Sequence, residues 1–478
     1  MEILIITLSL AAAILVGGMA KQRKNVEIAS VAAGIVSFAA SISIALRVSA
    51  SGTYAPSAFF SIDALGAIVI LIISCVGLAA TAYSVPYLRA ETEKHIIGFK
   101  RVRQYFMLLN LFIAAMYVAV AASSPVLAWI AIEMTTLSTV FLISFYNKPA
   151  SMEAAWKYLI INSIGLLLGF FGALLYFTST NALGDGLVSW QSLLVNASHL
   201  DPLIVKIAFI FVLVGYGTKV GLAPMHTWLP DAHSKAPVPV SALLSGVLLN
   251  VAFVIILRFK YVTDASIGPA FAQNLLMTLG ILSIFIASLI ILTQKNYKRL
   301  LAYSSVENMG IIALGFGFGG LGVFAAILHM IYHSLLKSAL FLSSGTIFLK
   351  FSSTKIARIR GVMTALPVTG ILFFVGFFAI TGAPPFGVFY TKLSILTAGI
   401  ASHPVIAIAA LAFMALVFVG FFQHATAMLF GDKPEEIETG ERSVWLIVPP
   451  LVLLVIAFGL SLHVPQFMYG LINEIASK

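Results

Sequence analysis

The sequence predicts an all-α polytopic membrane protein of about 14 transmembrane helices, and three observations carry that prediction. Of 478 residues, 60% are hydrophobic and only 10% charged, with a mean hydropathy of +1.04, above what water-soluble globular folds reach. Apolar runs of roughly 18 residues or more recur along nearly the whole chain. Two of those runs are too long for one straight crossing and carry prolines near their middles. The short alternating strands of a β-barrel would not give such runs. Cys75 is the single cysteine, so the chain builds no internal disulfide, iron–sulfur cluster or nickel–iron centre. No cofactor or metal is expected, and any redox chemistry belongs to a partner.

At about 20 residues per crossing, the spans fall near 2–19, 26–48, 60–83, 104–121, 124–146, 157–178, 203–234, 236–258, 267–293, 300–319, 321–350, 363–397, 404–430 and 443–468. The first has no basic residue before it and Lys21, Arg23 and Lys24 after it. That is the reverse of a cleavable signal peptide, so it is expected to stay and span. The longest outside connection, 179–202, includes Thr180, Asn181, Gly184, Asp185 and Gly186 and reads as a short loop with a small helix. Its Asn196-Ala197-Ser198 sequon carries little weight, because the pattern is common.

Net charge is +10, and its placement reads as topology rather than as nucleic-acid binding. Odd-numbered connections hold Lys21, Arg23 and Lys24; Arg89, Lys94, Lys100, Arg101 and Arg103; Lys148 and Lys157; Lys235; Lys295, Lys298 and Arg299; Lys350, Lys355, Arg358 and Arg360; and Lys433 and Arg442. Even-numbered connections and termini hold only Arg47, Lys206, Arg258, Lys260 and Lys478. The positive-inside rule then puts the odd connections in the cytoplasm and both termini outside, as expected for a prokaryotic plasma membrane.

The seventh span, 203–234, carries Pro224 and Pro230, and the twelfth, 363–397, carries Pro384 and Pro385. Proline removes a backbone donor, and such breaks persist at membrane depth only where freed carbonyls face protein or water. Spans 4–8 and 9–13 are therefore read as two five-helix units, with the breaks in the fourth member of each. An odd number of spans inverts one unit relative to the other, as in many transporters. The expected organisation is 1–103 (spans 1–3), 104–260 (first repeat), 261–430 (second repeat) and 431–478 (span 14). Simple kinking by the prolines is the alternative.

Ionisable groups within the apolar zone are the candidate functional residues. Glu133 lies about ten residues into the fifth span, where an unpaired carboxylate costs at least a few kcal/mol. Lys219, just before the Pro224 break, is its expected ion-pair partner. Burial and Glu133 act on that ammonium in opposite senses, which poises it for proton exchange; a static structural pair is the alternative. His329, His333 and Lys337 follow at intervals of four along one face of the eleventh span. The histidine pair has Met330 after His329 and no evident third ligand, unlike a zinc helix, whereas imidazoles beside an ammonium suit proton relay through water. Lys392 follows the Pro384-Pro385 break and mirrors Lys219, with snorkelling to an interface as its alternative. Glu307 reads at least as readily as a hydrated or locally paired carboxylate as it does as a proton site, Asp63 and Asp231 as helix-end pins, and the glycine-rich stretch 315–320 as helix packing or a turn, since it lacks the context of a phosphate loop.

The segments Lys219–His233 (KVGLAPMHTWLPDAH), Lys298–Ser305 (KRLLAYSS) and His333–Leu342 (HSLLKSALFL) closely resemble the antiporter-like proton-pumping subunits of respiratory complex I, Mrp-type sodium/proton antiporters and membrane-bound group 4 [NiFe]-hydrogenases. The resemblance covers about spans 4 to 13. It implies a fourteen-helix core with inverted repeats, and a proton relay in which Glu133 and Lys219 form the first pair. His329, His333 and Lys337 form the centre, and Lys392 hands protons outward. One departure is Asn250, which stands where many members carry a lysine or histidine in the eighth span. With the SSVENM stretch at 304–309, it makes the chain most like the hydrogenase-4 F-type subunit. The long lateral helix of some members is not seen after the fourteenth span.

The resemblance implies neighbouring membrane subunits, a peripheral redox module on the cytoplasmic side (Fe–S with [NiFe], or linked to NADH or ferredoxin), lipid, and H⁺ or Na⁺ as the moved ion. Three functions stay open on sequence: redox-driven proton translocation, Mrp-type Na⁺/H⁺ exchange, and a non-pumping membrane scaffold.

Overall fold

The computed structural model describes residues 1–178 and 189–477. Thr180, Asn181, Gly184, Asp185 and Gly186, assigned above to the longest outer connection, lie outside the described residues, as does Lys478. The chain is a bundle of long helices, and among the described residues twelve are long and apolar enough to cross a membrane. Spans 1 to 6 are Glu2–Met19, Arg23–Ser51, Ala64–Glu93, Phe99–Ala121, Pro125–Ile143 and Pro149–Thr178; spans 7 to 11 are Pro202–Lys235, Val238–Ile267, Ala270–Leu292, Tyr297–Phe318 and Leu321–Phe351; span 13 is Pro404–Leu429. The twelfth span is two short helices, Pro367–Thr381 and Gly387–Ser402. The fourteenth is Val448–Leu462, bent by 73° into Gln466–Ala476.

Local signals set several starts. Ser124 accepts from the Leu127 amide at 3.2 Å with Pro125 in the first turn, and Asp201 accepts from Leu203 and Ile204 ahead of Pro202. Both follow the capping preference for short polar side chains with proline at the first helical position.

Two expectations are corrected. The third span begins at Ala64, capped by Asp63, because Phe60–Ile62 is instead a strand paired antiparallel with Tyr54–Ser57. Strands of four and three residues are too short for an alternation to stand out in sequence. The fourteenth span does not run straight to residue 468: it stops at Leu462, and a bend at His463–Pro465 turns the last helix aside.

The connections sort onto two ends. The hairpin joins the connection between spans 4 and 5 (Ser123 N to Phe59 O, 2.9 Å) and through it Trp190 (2.9 Å to Ser123 O), while Arg258 clasps the carbonyls of Val120 and Ala122. At the opposite end, connections 9 and 11 pair through Asn296 and Lys355. There Asp231 binds Arg299 and Lys157, and Arg442 binds Glu93. Even and odd connections therefore occupy opposite ends.

Spans 3, 8, 10 and 11 are buried along most or all of their length, while spans 1, 2, 6, 9 and 13 expose much of theirs. Close approach relies on glycine: a Cβ on Gly215 would lie 2.3 Å from the Gly169 amide nitrogen, so spans 6 and 7 meet backbone to backbone through Gly165, Gly169 and Gly215, the small-residue packing that membrane helices favour. The central helices cannot present polar groups to water, so each of their buried polar side chains needs a partner within the protein.

Candidate functional site

Both breaks are built alike. The first half of span 7 ends at Val220 with Gly221 in the left-handed region (φ 79°), and the first half of span 12 ends at Thr381 with Gly382 likewise (φ 93°). At each, the glycine N–H reaches back to Thr218 or Ala379 and the next amide to Gly217 or Phe378, a Schellman closure that uses up the last carbonyls. Ala223-Pro224 and Pro384-Pro385, both cis, follow. In the seventh span Pro230 breaks nothing, because it lies in the first turn of Trp228–Lys235, where its missing N–H costs little.

At each break a lysine amine lies at the negative, C-terminal end of the first half-helix, where the macrodipole favours a cation. Lys219, in the last turn before Gly221, is fully buried. Its Nζ donates to Thr136 Oγ1 at 2.8 Å and Tyr158 Oη at 2.7 Å, and Tyr158 Oη lies 2.6 Å from Thr139 Oγ1. Lys392, in the second half of span 12, reaches back to the Thr381 carbonyl at 3.2 Å. It also forms an ion pair at 2.9 Å with Glu307, which is 1% exposed. Lys392 therefore does not snorkel.

From Glu307 the contacts continue inward. Glu307 Oε2 accepts from Asn308 Nδ2 at 2.7 Å, Asn308 Oδ1 faces His329 Nε2 at 2.9 Å, and His329 Nδ1 faces Thr391 Oγ1 at 2.8 Å. Because the Asn308 amide donates to the carboxylate, its oxygen is left to accept, which assigns a proton to His329 Nε2. One turn along, His333 Nε2 approaches the Ser245 carbonyl at 3.2 Å. Ser245 lies in a π-helical stretch, Leu244–Leu248, that interrupts span 8, and its hydroxyl is 2.7 Å from that of Ser305. Such widened turns recur at functional sites because they free backbone carbonyls. Lys337 is fully buried with no carboxylate among the described residues in contact; its Nζ donates to the Leu301 carbonyl and stands 5.6 Å from the Phe341 ring centroid.

Residues 122–418 match the family described as NADH:quinone oxidoreductase/Mrp antiporter, TM. The chain belongs to that family. A hydrogenase-4 component F homolog from Methylacidiphilum infernorum is 39% identical over 408 residues, covering 84% of this chain and 86% of its own length. The fold is shared with a chain of the membrane-bound sulfane sulfur reductase, an archaeal respiratory membrane complex (TM-score 0.87, 22% identity, covering 100% of this chain and 96% of that one). It is shared equally with a chain of the Mrp complex from Dietzia sp. (TM-score 0.86, 20% identity, the same coverage).

In this antiporter-like subunit, the residues singled out from sequence fall into two groups. Lys392, His329, His333 and Lys337 gather around spans 8, 10, 11 and 12. Glu133 and Lys219 occupy the other group, but they are not in ion-pair contact: Glu133 is half-buried, accepts from Ser163 Oγ at 2.9 Å, and leaves its second oxygen without a partner. Lys219 turns instead to the hydroxyls of Thr136 and Tyr158, which lie nearer its Nζ. The hydrogen bonds of the Lys219 group end at Thr139, and no direct one joins it to His333 or Lys337. Asn250, in span 8, donates to Ser334 Oγ of span 11 at 2.7 Å, and its buried oxygen has no partner among the described residues.

Glu307, read from sequence as a hydrated or locally paired carboxylate or a proton site, is paired, and its partner Lys392 is the contact the sequence did not name. The signal was available: Glu133 and Glu307 are the only carboxylates in the second span of each five-helix unit. Among the described residues no three His, Cys, Asp or Glu side chains gather as metal ligands.

Proposed function

We propose that this chain is a proton-translocating membrane subunit of a redox-driven respiratory complex, of the hydrogenase-4 or complex I-like kind. The single observation that carries the reading is the unbroken run Lys392–Glu307–Asn308–His329–Thr391 beside the unpaired Lys337, buried on helices where unpartnered charge is costly. Side chains that only hold a bundle together would be replaced at little loss by apolar ones; a row of exchangeable donors and acceptors suits transfer of H⁺. Residues 104–260 and 261–430 act as inverted units, a reading supported by the matched closures at Gly221 and Gly382. The basic odd connections face the cytoplasm and both termini the outside.

Protons enter from the cytoplasm near Lys219, reach the polar axis of Lys337, His333 and His329, and leave outward by Lys392, which the run joins to His329. Water crosses the gap between Thr139 and His333. A peripheral redox module on the cytoplasmic face drives the cycle by displacing charge near Glu133. That carboxylate already has one oxygen without a partner among the described residues, with which to approach Lys219. At about 4 Å and an effective dielectric near 20, the resulting Coulomb energy is roughly 4 kcal/mol, ample to move a proton sideways.

Complex reconstituted with Lys219→Ala in this chain should lose proton pumping under its own electron donor; pumping at the parental rate would reject the assignment. A second reading, Na⁺/H⁺ exchange without redox drive, is favoured by the likeness to the Mrp complex chain. Sodium-dependent H⁺ movement in vesicles without any donor would select it.

A further inference from the structure

A buried histidine outside the relay suggests where else protons are taken up. His233 ends the second half of span 7 and is fully buried, its ring stacked on Phe341 at 5.1 Å between centroids. Among the described residues neither ring nitrogen makes a hydrogen bond of good geometry, although the Ser241 backbone approaches it. Buried polar atoms left so are uncommon and need a reason, because an apolar ring of that size would pack there without the desolvation cost. Phe341 is also the ring under Lys337.

Lys298 and Lys337 both lie close enough to His233 to act on it electrostatically. Lys298, 4% exposed, donates to the Ala236 carbonyl at 2.8 Å and lies in the field of Glu91. Glu91, 1% exposed, accepts from Tyr146 Oη at 2.5 Å. Lys298, Lys235, Lys148, Tyr87 and Tyr146 line a cavity of about 210 Å³ at the end of the molecule that carries the odd connections, with exposed Ala150 at its rim. That volume holds several water molecules. Lys298, His233 and Lys337 thus lie in succession from that cavity toward the central lysine, with Glu91 beside Lys298, and separate from Lys219.

We propose that this cavity is a second proton-uptake mouth and that His233 carries protons from Lys298 to Lys337. The Lys298 ammonium, which lines the cavity, gives H⁺ through an intervening water to one ring nitrogen of neutral His233 and is reprotonated from cavity water. The imidazolium then gives the proton on its other nitrogen to the neutral Lys337 amine, which becomes ammonium while the ring returns to neutral. The inference rests on the proton-moving reading above.

The test uses the intact complex, purified through a tag on this chain, in liposomes with a pH-sensitive dye. His233→Gln, which keeps hydrogen bonding but cannot titrate, is expected to slow translocation at least tenfold. His233→Ala is expected to be slow too and to recover when imidazole is supplied on the side of the cavity, which a packing role would not allow. Parental rates in His233→Gln, or a slow His233→Ala that imidazole does not restore, overturn the proposal. If neither variant accumulates, Ala150→Trp at the exposed rim decides: slowed translocation supports it and an unchanged rate overturns it. Failure of the unaltered complex to move protons would refute the proposed function itself.

Discussion

Glu307→Gln isolates the contact between Glu307 and Lys392, because glutamine keeps the size of the side chain and removes only its charge. The Nζ–Oε1 distance is 2.9 Å and Glu307 is almost inaccessible. With charge centres about 4 Å apart and an effective dielectric near 20, the lost attraction is roughly 4 kcal/mol. Breaking one side of a buried pair generally costs about 3–5 kcal/mol. Even if two-thirds of that were recovered by rearrangement, the remaining ~1.4 kcal/mol is a tenfold change in rate. Proton translocation by the reconstituted Glu307→Gln complex should therefore fall at least tenfold. Since Glu307 acts through Lys392, the double variant Glu307→Gln/Lys392→Met should be no slower than Lys392→Met alone, a complete failure of additivity. Losses that multiply in the double variant, or a parental rate in Glu307→Gln, would refute the coupling.

Three further outcomes follow from the same geometry. Tyr158→Phe removes one of two hydroxyl acceptors from Lys219, at about 1–3 kcal/mol for a buried donor left short of partners; initial pumping rates should drop several-fold with complex yield unchanged. Gly215→Ala drives a methyl against the Gly169 backbone, and overpacking of about 1–3 kcal/mol or more should lower the melting midpoint seen by fluorescence-detected size exclusion. Arg258→Gln releases the Val120 and Ala122 carbonyls, held at 2.7 and 3.1 Å; amides of residues 54–62 should exchange faster by mass spectrometry while translocation stays unaltered.

The hairpin at 54–62 shows why some of the fold was illegible in advance. Its strands are short and are held by the connection before Pro125, which Trp190 binds in turn, contacts that no local pattern announces. The bend at His463–Pro465 is similar: the apolar run continues past it in Phe467 and Met468, so hydropathy cannot see the change of direction. At the site, Lys392 and Glu307 were each visible as ionisable residues in apolar surroundings. That they touch, while Glu133 and Lys219 do not, was invisible, because the partners are 85 residues apart in one case and a choice among nearby hydroxyls decides the other.

What the amino-acid sequence determined alone was the membrane class, the places where helices break, and which polar groups lie at depth. Each follows from local terms: the transfer cost of side chains into lipid and the missing amide of proline. Only the tertiary structure decided which of those groups meet. A buried charge takes whichever acceptor the packing of neighbouring helices brings within about 3 Å, and that packing depends on glycine contacts and half-helix ends distributed over the whole bundle.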